Sequence, residues 1–178
     1  TITPKQKINQ VKMFGGENIE IILIGDTFDE CQVHAIQYCA EKNKAFIPPF
    51  EHLKVIEGQG TIAKEILEET QNVDYVFVPI GGGGLCAGLG VYFKEYSPKT
   101  KIIGVEPLGA PSMKEALKAG KPVALEKMTR FVDGASVKKV GELTFSICKE
   151  VLSDMLLVPE GKICSTILQL YNEDAIVA

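Results

Sequence analysis

The chain has 178 residues, 46% apolar and 24% charged, enough for one ordinary domain or two small lobes with a buried core. Its net charge of -4 and pI of about 5.3 give no basic field to draw it to nucleic acid or an anionic membrane. No apolar run approaches the roughly 20 residues of a membrane span, and Thr1 to Lys5 lack the apolar core of a signal peptide.

Thr3-Pro4 reads as the N-cap and first residue of a helix carrying Ile8, Val11, Lys12 and Phe14, ended by Gly15-Gly16. Ile19 to Ile24 is a strand by composition, closed by Gly25-Asp26. Asp26 or Thr27 caps a second helix with Cys31, His34, Ala35, Tyr38 and Cys39 on one face. Ala45-Phe46-Ile47 reads as a short strand, and Pro48 to Glu51 as a crossover between lobes. The chain so divides into a partial small lobe, 1–48, and a partial large lobe, 49–178. Val55 to Thr70 is predicted helical with Ile62, Ile66 and Leu67 buried, although Gly58-Gln59-Gly60 makes its first turn unusual.

A strand at 74–79 follows, then four glycines, a helix to about Tyr96 and a strand from Lys101 to Glu106. Pro111 to Ala119 is helical and closed by Gly120, and Asp133-Gly134 is a loop. Gly141 to Leu152 is a helix, Met155 to Val158 a strand and Glu160 to Tyr171 a helix. The alternation predicts an α/β fold, a mostly parallel sheet flanked by helices on both faces, with a partial smaller N-terminal lobe. The abrupt start at Thr1 and the apolar run Ala175 to Ala178 read as edges inside a larger fold. The five cysteines, Cys31, Cys39, Cys86, Cys148 and Cys164, form no CxxC and lie mostly in apolar helical stripes. They read as buried, reduced thiols of a cytoplasmic protein. With only His34 and His52 beside them, no zinc site is predicted.

The glycine run Gly81-Gly82-Gly83-Gly84 carries the chemistry. It stands between Val76-Phe77-Val78-Pro79-Ile80 and Leu85-Cys86-Ala87-Gly88-Leu89, a strand and a helix. A flexible linker would not be framed by two apolar elements. A glycine turn entering a helix brings bare N–H groups and the positive end of the helix dipole to an anion. A P-loop is excluded, because Leu85-Cys86 stands where its Lys-Ser/Thr would be. A dinucleotide site is a rival: Gly82, Gly84 and Ala87 satisfy GxGxxA, and Glu106 ends the next strand where a ribose-binding acid belongs. Glu106 reads equally well as a capping acid. The remaining reading is a cup for a single terminal phosphate, such as that of pyridoxal 5′-phosphate.

The stretch Val78-Pro79-Ile80-Gly81-Gly82-Gly83-Gly84-Leu85-Cys86-Ala87-Gly88 closely resembles the phosphate loop of the threonine dehydratase and serine racemase family, pyridoxal-phosphate enzymes of the tryptophan-synthase-β fold type. Pro48-Pro49-Phe50 with Val55-Ile56-Glu57-Gly58-Gln59-Gly60-Thr61 resembles the family's lobe crossover, and Gly104-Val105-Glu106-Pro107 its next strand end. Phe131 to Val137, followed by Gly141-Glu142-Leu143-Thr144-Phe145, looks more like threonine dehydratase than serine racemase. The resemblance implies that the N–H groups of Gly81, Gly82, Gly83, Gly84 and Leu85 hold the cofactor's 5′-phosphate, with Gly134 near its ring. It implies β-elimination of threonine to 2-oxobutanoate and ammonia, in isoleucine synthesis or threonine breakdown, by a homo-oligomeric parent.

The same resemblance places the Schiff-base lysine upstream of Thr1, so no catalytic residue is expected in this chain, and the isolated chain is expected to be inactive. In some serine racemases the position of Glu106 binds a divalent metal with a second acid six residues on. Here that residue is Ser112, so no metal site is expected. The alternatives are a serine racemase or serine dehydratase fragment, a Rossmann-type dinucleotide module, and a truncated domain without catalysis.

Overall fold

The computed structural model describes residues 3–177. The chain divides into two compact units, Thr1–Ile47 and Pro48–Ala178. In the first, α1 spans Lys5–Gly15, a 3-10 turn follows at Gly16–Asn18, and α2 spans Phe28–Glu41. Thr27 caps α2: its hydroxyl accepts from Glu30 N at 3.0 Å, while Glu30 Oε2 accepts from Asp26 N at 2.8 Å, close to a capping box. Asn43, at φ +50°, turns the chain away after α2.

The strands expected at 19–24 and 45–47 do not form among the described residues. Ile19 is extended, with φ −125° and ψ 149°. But a strand needs a hydrogen-bonded neighbour as well as β-prone residues, and no described segment pairs with either stretch. Ile22, Leu23, Ile24 and Ile47 accordingly remain exposed, and neither α1 nor α2 has a buried residue.

The second unit holds the core. Strands β1 (Tyr75–Pro79), β2 (Lys101–Pro107) and β3 (Leu152–Val158) form a parallel sheet in the order β1-β2-β3, with Val78 opposite Gly104 and Gly104 opposite Met155. Helices α3 (Leu53–Glu69), α4 (Gly84–Tyr96), α5 (Ser112–Ala119), α6 (Glu142–Val151) and α7 (Glu160–Asp174) complete it. The strand order advances in one direction. The connecting helices α4, α5 and α6 pack in one core cluster against the same sheet face. Val78, Ile80 and Ile102 from that face meet Cys86, Leu89 and Phe93 of α4, Met113 of α5 and Phe145 of α6. The opposite face carries exposed Tyr75, Phe77 and Leu156.

Helix α4 is buried along most of its length, including Gly84, Cys86, Ala87, Gly88, Leu89, Gly90 and Phe93, as expected of a helix apolar all round. Helix α3 crosses it closely, and a Cβ added at Gly88 would lie 2.8 Å from Gly60 N. Gly58-Gln59-Gly60 thus lies within a continuous α3, and its second glycine serves helix packing. Ile56, Gly60 and Ala63, at i, i+4 and i+7, form the buried face of α3. Ile62 lies off that face and is exposed, and Ile66 and Leu67 are half-buried, so the expected apolar stripe was rotated. All five cysteines are free; Cys86 and Cys148 are buried, whereas Cys164 on α7 is exposed, contrary to the buried reading. Among the described residues no helix is long and apolar enough to cross a membrane.

Candidate functional site

The last main-chain bond at the end of β1 is Ile80 N to Val105 O, 2.9 Å. The chain then leaves the sheet through Gly81–Gly83 and enters α4 at Gly84. Gly83 is the N-cap, left-handed at φ +93° and ψ −4°, a conformation that side chains disfavour. Its carbonyl accepts the first helical bond, from Ala87 N at 2.9 Å. Among the described residues, the N–H groups of Gly81 through Cys86 donate to no protein acceptor. Gly82, Gly83 and Gly84 are buried, with Gly81 and Leu85 half-buried at the rim. Consecutive buried donors without an internal acceptor, at the positive end of a buried helix, are an arrangement able to take up an anion.

The neighbouring helix starts differ. The α5 N-terminus is filled by Glu106, whose carboxylate accepts from Met113 N at 2.7 Å, Lys114 N at 3.0 Å and Ser112 Oγ at 3.4 Å. Glu106 is 1% exposed. Burial pushes its pKa above the ordinary carboxylate range, although all three hydrogen bonds pull the other way. An acid enclosed by α5 is not available to a ribose, which removes the main support for a dinucleotide module. The α6 N-terminus is filled by Glu51, which accepts from Leu143 N at 2.6 Å and from Thr144 N at 3.2 Å. Gly141, the N-cap of α6, has no side chain to do this itself.

The carbonyl side of the glycine loop is tied to α6. Thr144 Oγ1 donates to Gly82 O at 2.7 Å, and one turn later Cys148 Sγ donates to Gly83 O at 3.6 Å. A hydrogen bond with Cys86, followed by burial, raises the Cys148 pKa, so its thiol stays protonated and able to donate. Cys86 itself is fully buried under the loop. The Phe50 side chain lies against Gly82 and Gly84. A Cβ at Gly81 would come within 3.3 Å of Ala135 Cα and 3.4 Å of Val137 Cγ2.

The structure therefore brings Gly81, Gly82, Gly83, Gly84 and Leu85 into one donor row. Gly134 sits one residue before the segment packed on Gly81, itself exposed and with open space around its Cβ position. Sequence reasoning missed Glu51, Thr144 and Cys148 as parts of the site. The uncapped glycine at 141 was the one available signal, since a buried helix start requires an acceptor from elsewhere. Among the described residues no lysine is buried.

The family described as pyridoxal-phosphate dependent enzyme matches residues 1–178. The chain is 57% identical over 179 residues to the biosynthetic L-threonine dehydratase of Halalkalibacterium halodurans, covering 100% of this chain and 43% of that protein. It also matches the solved structure of the processed form of threonine deaminase isoform 2 from Solanum lycopersicum, with 44% identity and a TM-score of 0.89, over 99% of this chain and 48% of that one. Maize serine racemase matches at 27% identity and a TM-score of 0.87, over 96% of this chain and 52% of that one. The chain thus spans less than half the length of the curated relative it matches. With a row of unbonded N–H donors between strand and helix, and a family match along its whole length, this chain belongs to the pyridoxal-phosphate-dependent enzymes.

Proposed function

We propose that this chain is the part of a threonine dehydratase that grips the 5′-phosphate of pyridoxal phosphate, within an enzyme converting L-threonine to 2-oxobutanoate and ammonia. The observation that carries this reading is the row of unbonded N–H groups from Gly81 to Leu85 at the start of α4. A single phosphate fits it. The donors belong to one short turn, no basic side chain is needed, and glycine lets a ligand oxygen approach the backbone closely. The residues that would hold the phosphate are Gly81, Gly82, Gly83, Gly84 and Leu85, through the main chain, and Gly134 would lie near the cofactor's ring.

The cofactor, when bound, supplies an electron-withdrawing ring that makes loss of the substrate's β-hydroxyl feasible. The chain's own contribution is orientation. The donor row lies at the carboxyl end of β1, where parallel sheets hold their ligands. Phe50 packs on Gly82 and Gly84, and the 135–137 segment on Gly81. Covalent attachment and proton transfer are assigned to segments outside these residues, and the isolated chain is proposed to turn over no threonine. The finer elements of the reading are a large lobe beginning near residue 49, a homo-oligomeric parent, and work in the cytoplasm on an amino-acid substrate.

The test is a steady-state assay of the full-length polypeptide that carries this chain. L-Threonine and L-serine are followed as 2-oxobutanoate and pyruvate, with serine racemisation measured in parallel. Preferred formation of 2-oxobutanoate is the expected result. Racemisation without release of a 2-oxo acid would overturn the proposal.

A further inference from the structure

We propose that Thr144 is the positioning residue that aims the glycine loop's N–H groups at the phosphate, with Glu51 fixing Thr144 at the start of α6. This rests on the reading of the loop as a phosphate cup. Thr144 is fully buried. Its hydroxyl proton has three acceptors in reach: Gly82 O at 2.7 Å, Glu51 Oε2 at 3.2 Å and Gly141 O at 3.3 Å. A helical threonine ordinarily bonds back to its own preceding turn. Here the shortest contact instead crosses to the loop.

That crossing has a directional consequence. In a planar trans peptide the C=O and the following N–H point in opposite directions. Holding Gly82 O toward α6 turns the Gly83 N–H away from α6. The bonds of Cys148 Sγ and Ala87 N to Gly83 O do the same for the Gly84 N–H. A run of glycines has wide conformational freedom, so these peptide planes need an external restraint to present their donors together. Thr144 supplies that restraint from a helix, and Glu51 ties the helix start to the segment bearing Phe50.

The experiment titrates the full chain with inorganic phosphate and with pyridoxal 5′-phosphate while recording backbone amide resonances. Wild type is compared with Thr144→Val, which removes the hydroxyl at nearly constant volume, and with Thr144→Ser, which retains it. The Gly81–Leu85 amides of wild type are expected to shift on titration. Thr144→Ser should bind within about twofold of wild type. Thr144→Val should bind about tenfold more weakly, the scale of one lost hydrogen bond, with its Gly83 amide displaced before any phosphate is added. Equal affinity of wild type and Thr144→Val overturns the positioning role and leaves the cup standing. Wild-type amides that ignore both probes overturn cup and role together. Should Thr144→Val fail to fold, two measurements still decide. The Thr144 hydroxyl proton of wild type should exchange slowly enough to be resolved, and Thr144→Ser should keep its affinity; free exchange, or a tenfold loss in Thr144→Ser, overturns the role.

Discussion

Replacing Gly83 by alanine places a side chain on the one left-handed residue of the loop. At φ +93° and ψ −4° the backbone alone costs a non-glycine residue about 1–2 kcal/mol. The new Cβ would lie 2.9 Å from Met113 Cε, 3.1 Å from Thr144 Cβ and 3.3 Å from Thr144 Oγ1. The Met113 methyl ends a flexible chain and can swing aside. Thr144 cannot, because its hydroxyl is held to Gly82 O at 2.7 Å. Overpacking against such a neighbour adds about 1–3 kcal/mol. The sum is about 3 kcal/mol, a large part of the roughly 5–15 kcal/mol that stabilises a domain. In urea unfolding, with m of about 2 kcal/mol/M, the midpoint should fall by about 1.5 M with the slope unchanged. Gly134→Ala is the control: its φ is outside the left-handed range and nothing lies within 4 Å of its Cβ position, so its stability should stay within about 0.5 kcal/mol of wild type. A Gly83→Ala chain as stable as this control would mean that neither backbone strain nor crowding by Thr144 acts at position 83.

Three further outcomes are expected. Glu106 carries a raised pKa, so its stabilising contribution is complete below the unfolded value and is lost as pH rises through the folded one. The stability of wild type relative to Glu106→Gln should therefore fall as pH is raised from about 4 toward neutrality; a difference that grows over that range contradicts the burial argument. Gly58 lies inside α3 with open space at its Cβ position, so Gly58→Ala should stabilise by about 1 kcal/mol, seen as about 2–4 °C in Tm; a lowered Tm would mean that the position is not ordinary helix interior. In native-state thiol labelling followed by mass spectrometry, Cys164 should react first, whereas Cys86 and Cys148 should react only on unfolding.

The order of helices and strands in the larger unit was legible because each element carries its own period and punctuation. The glycine run between Ile80 and Leu85, and Gly120 after α5, mark their boundaries without help from the rest of the chain. The strand at 19–24 was misread for the complementary reason: β-prone residues state a preference, but a ladder needs a partner. The stripe of α3 was misread because Gly60, without a side chain, looked like an interruption, although close contact with Gly88 makes it the centre of the buried face. In the site, the donor row was legible from four consecutive glycines. Its supports were not. Glu51 and Thr144 meet across 93 residues of chain, and only the fold brings a carboxylate from the crossover to the start of α6. Glu106 was visible as an acid at a strand end, but whether it faced a ligand or a helix start depended on the path of α5.

The proposed function depends on the start of α4 gripping a phosphate. Calorimetric titration of the chain with pyridoxal 5′-phosphate, pyridoxal and inorganic phosphate tests it most directly. Binding of pyridoxal 5′-phosphate that inorganic phosphate competes away, with no measurable binding of pyridoxal, is the predicted result. Equal binding of pyridoxal and its phosphate, or binding that inorganic phosphate leaves untouched, would contradict it.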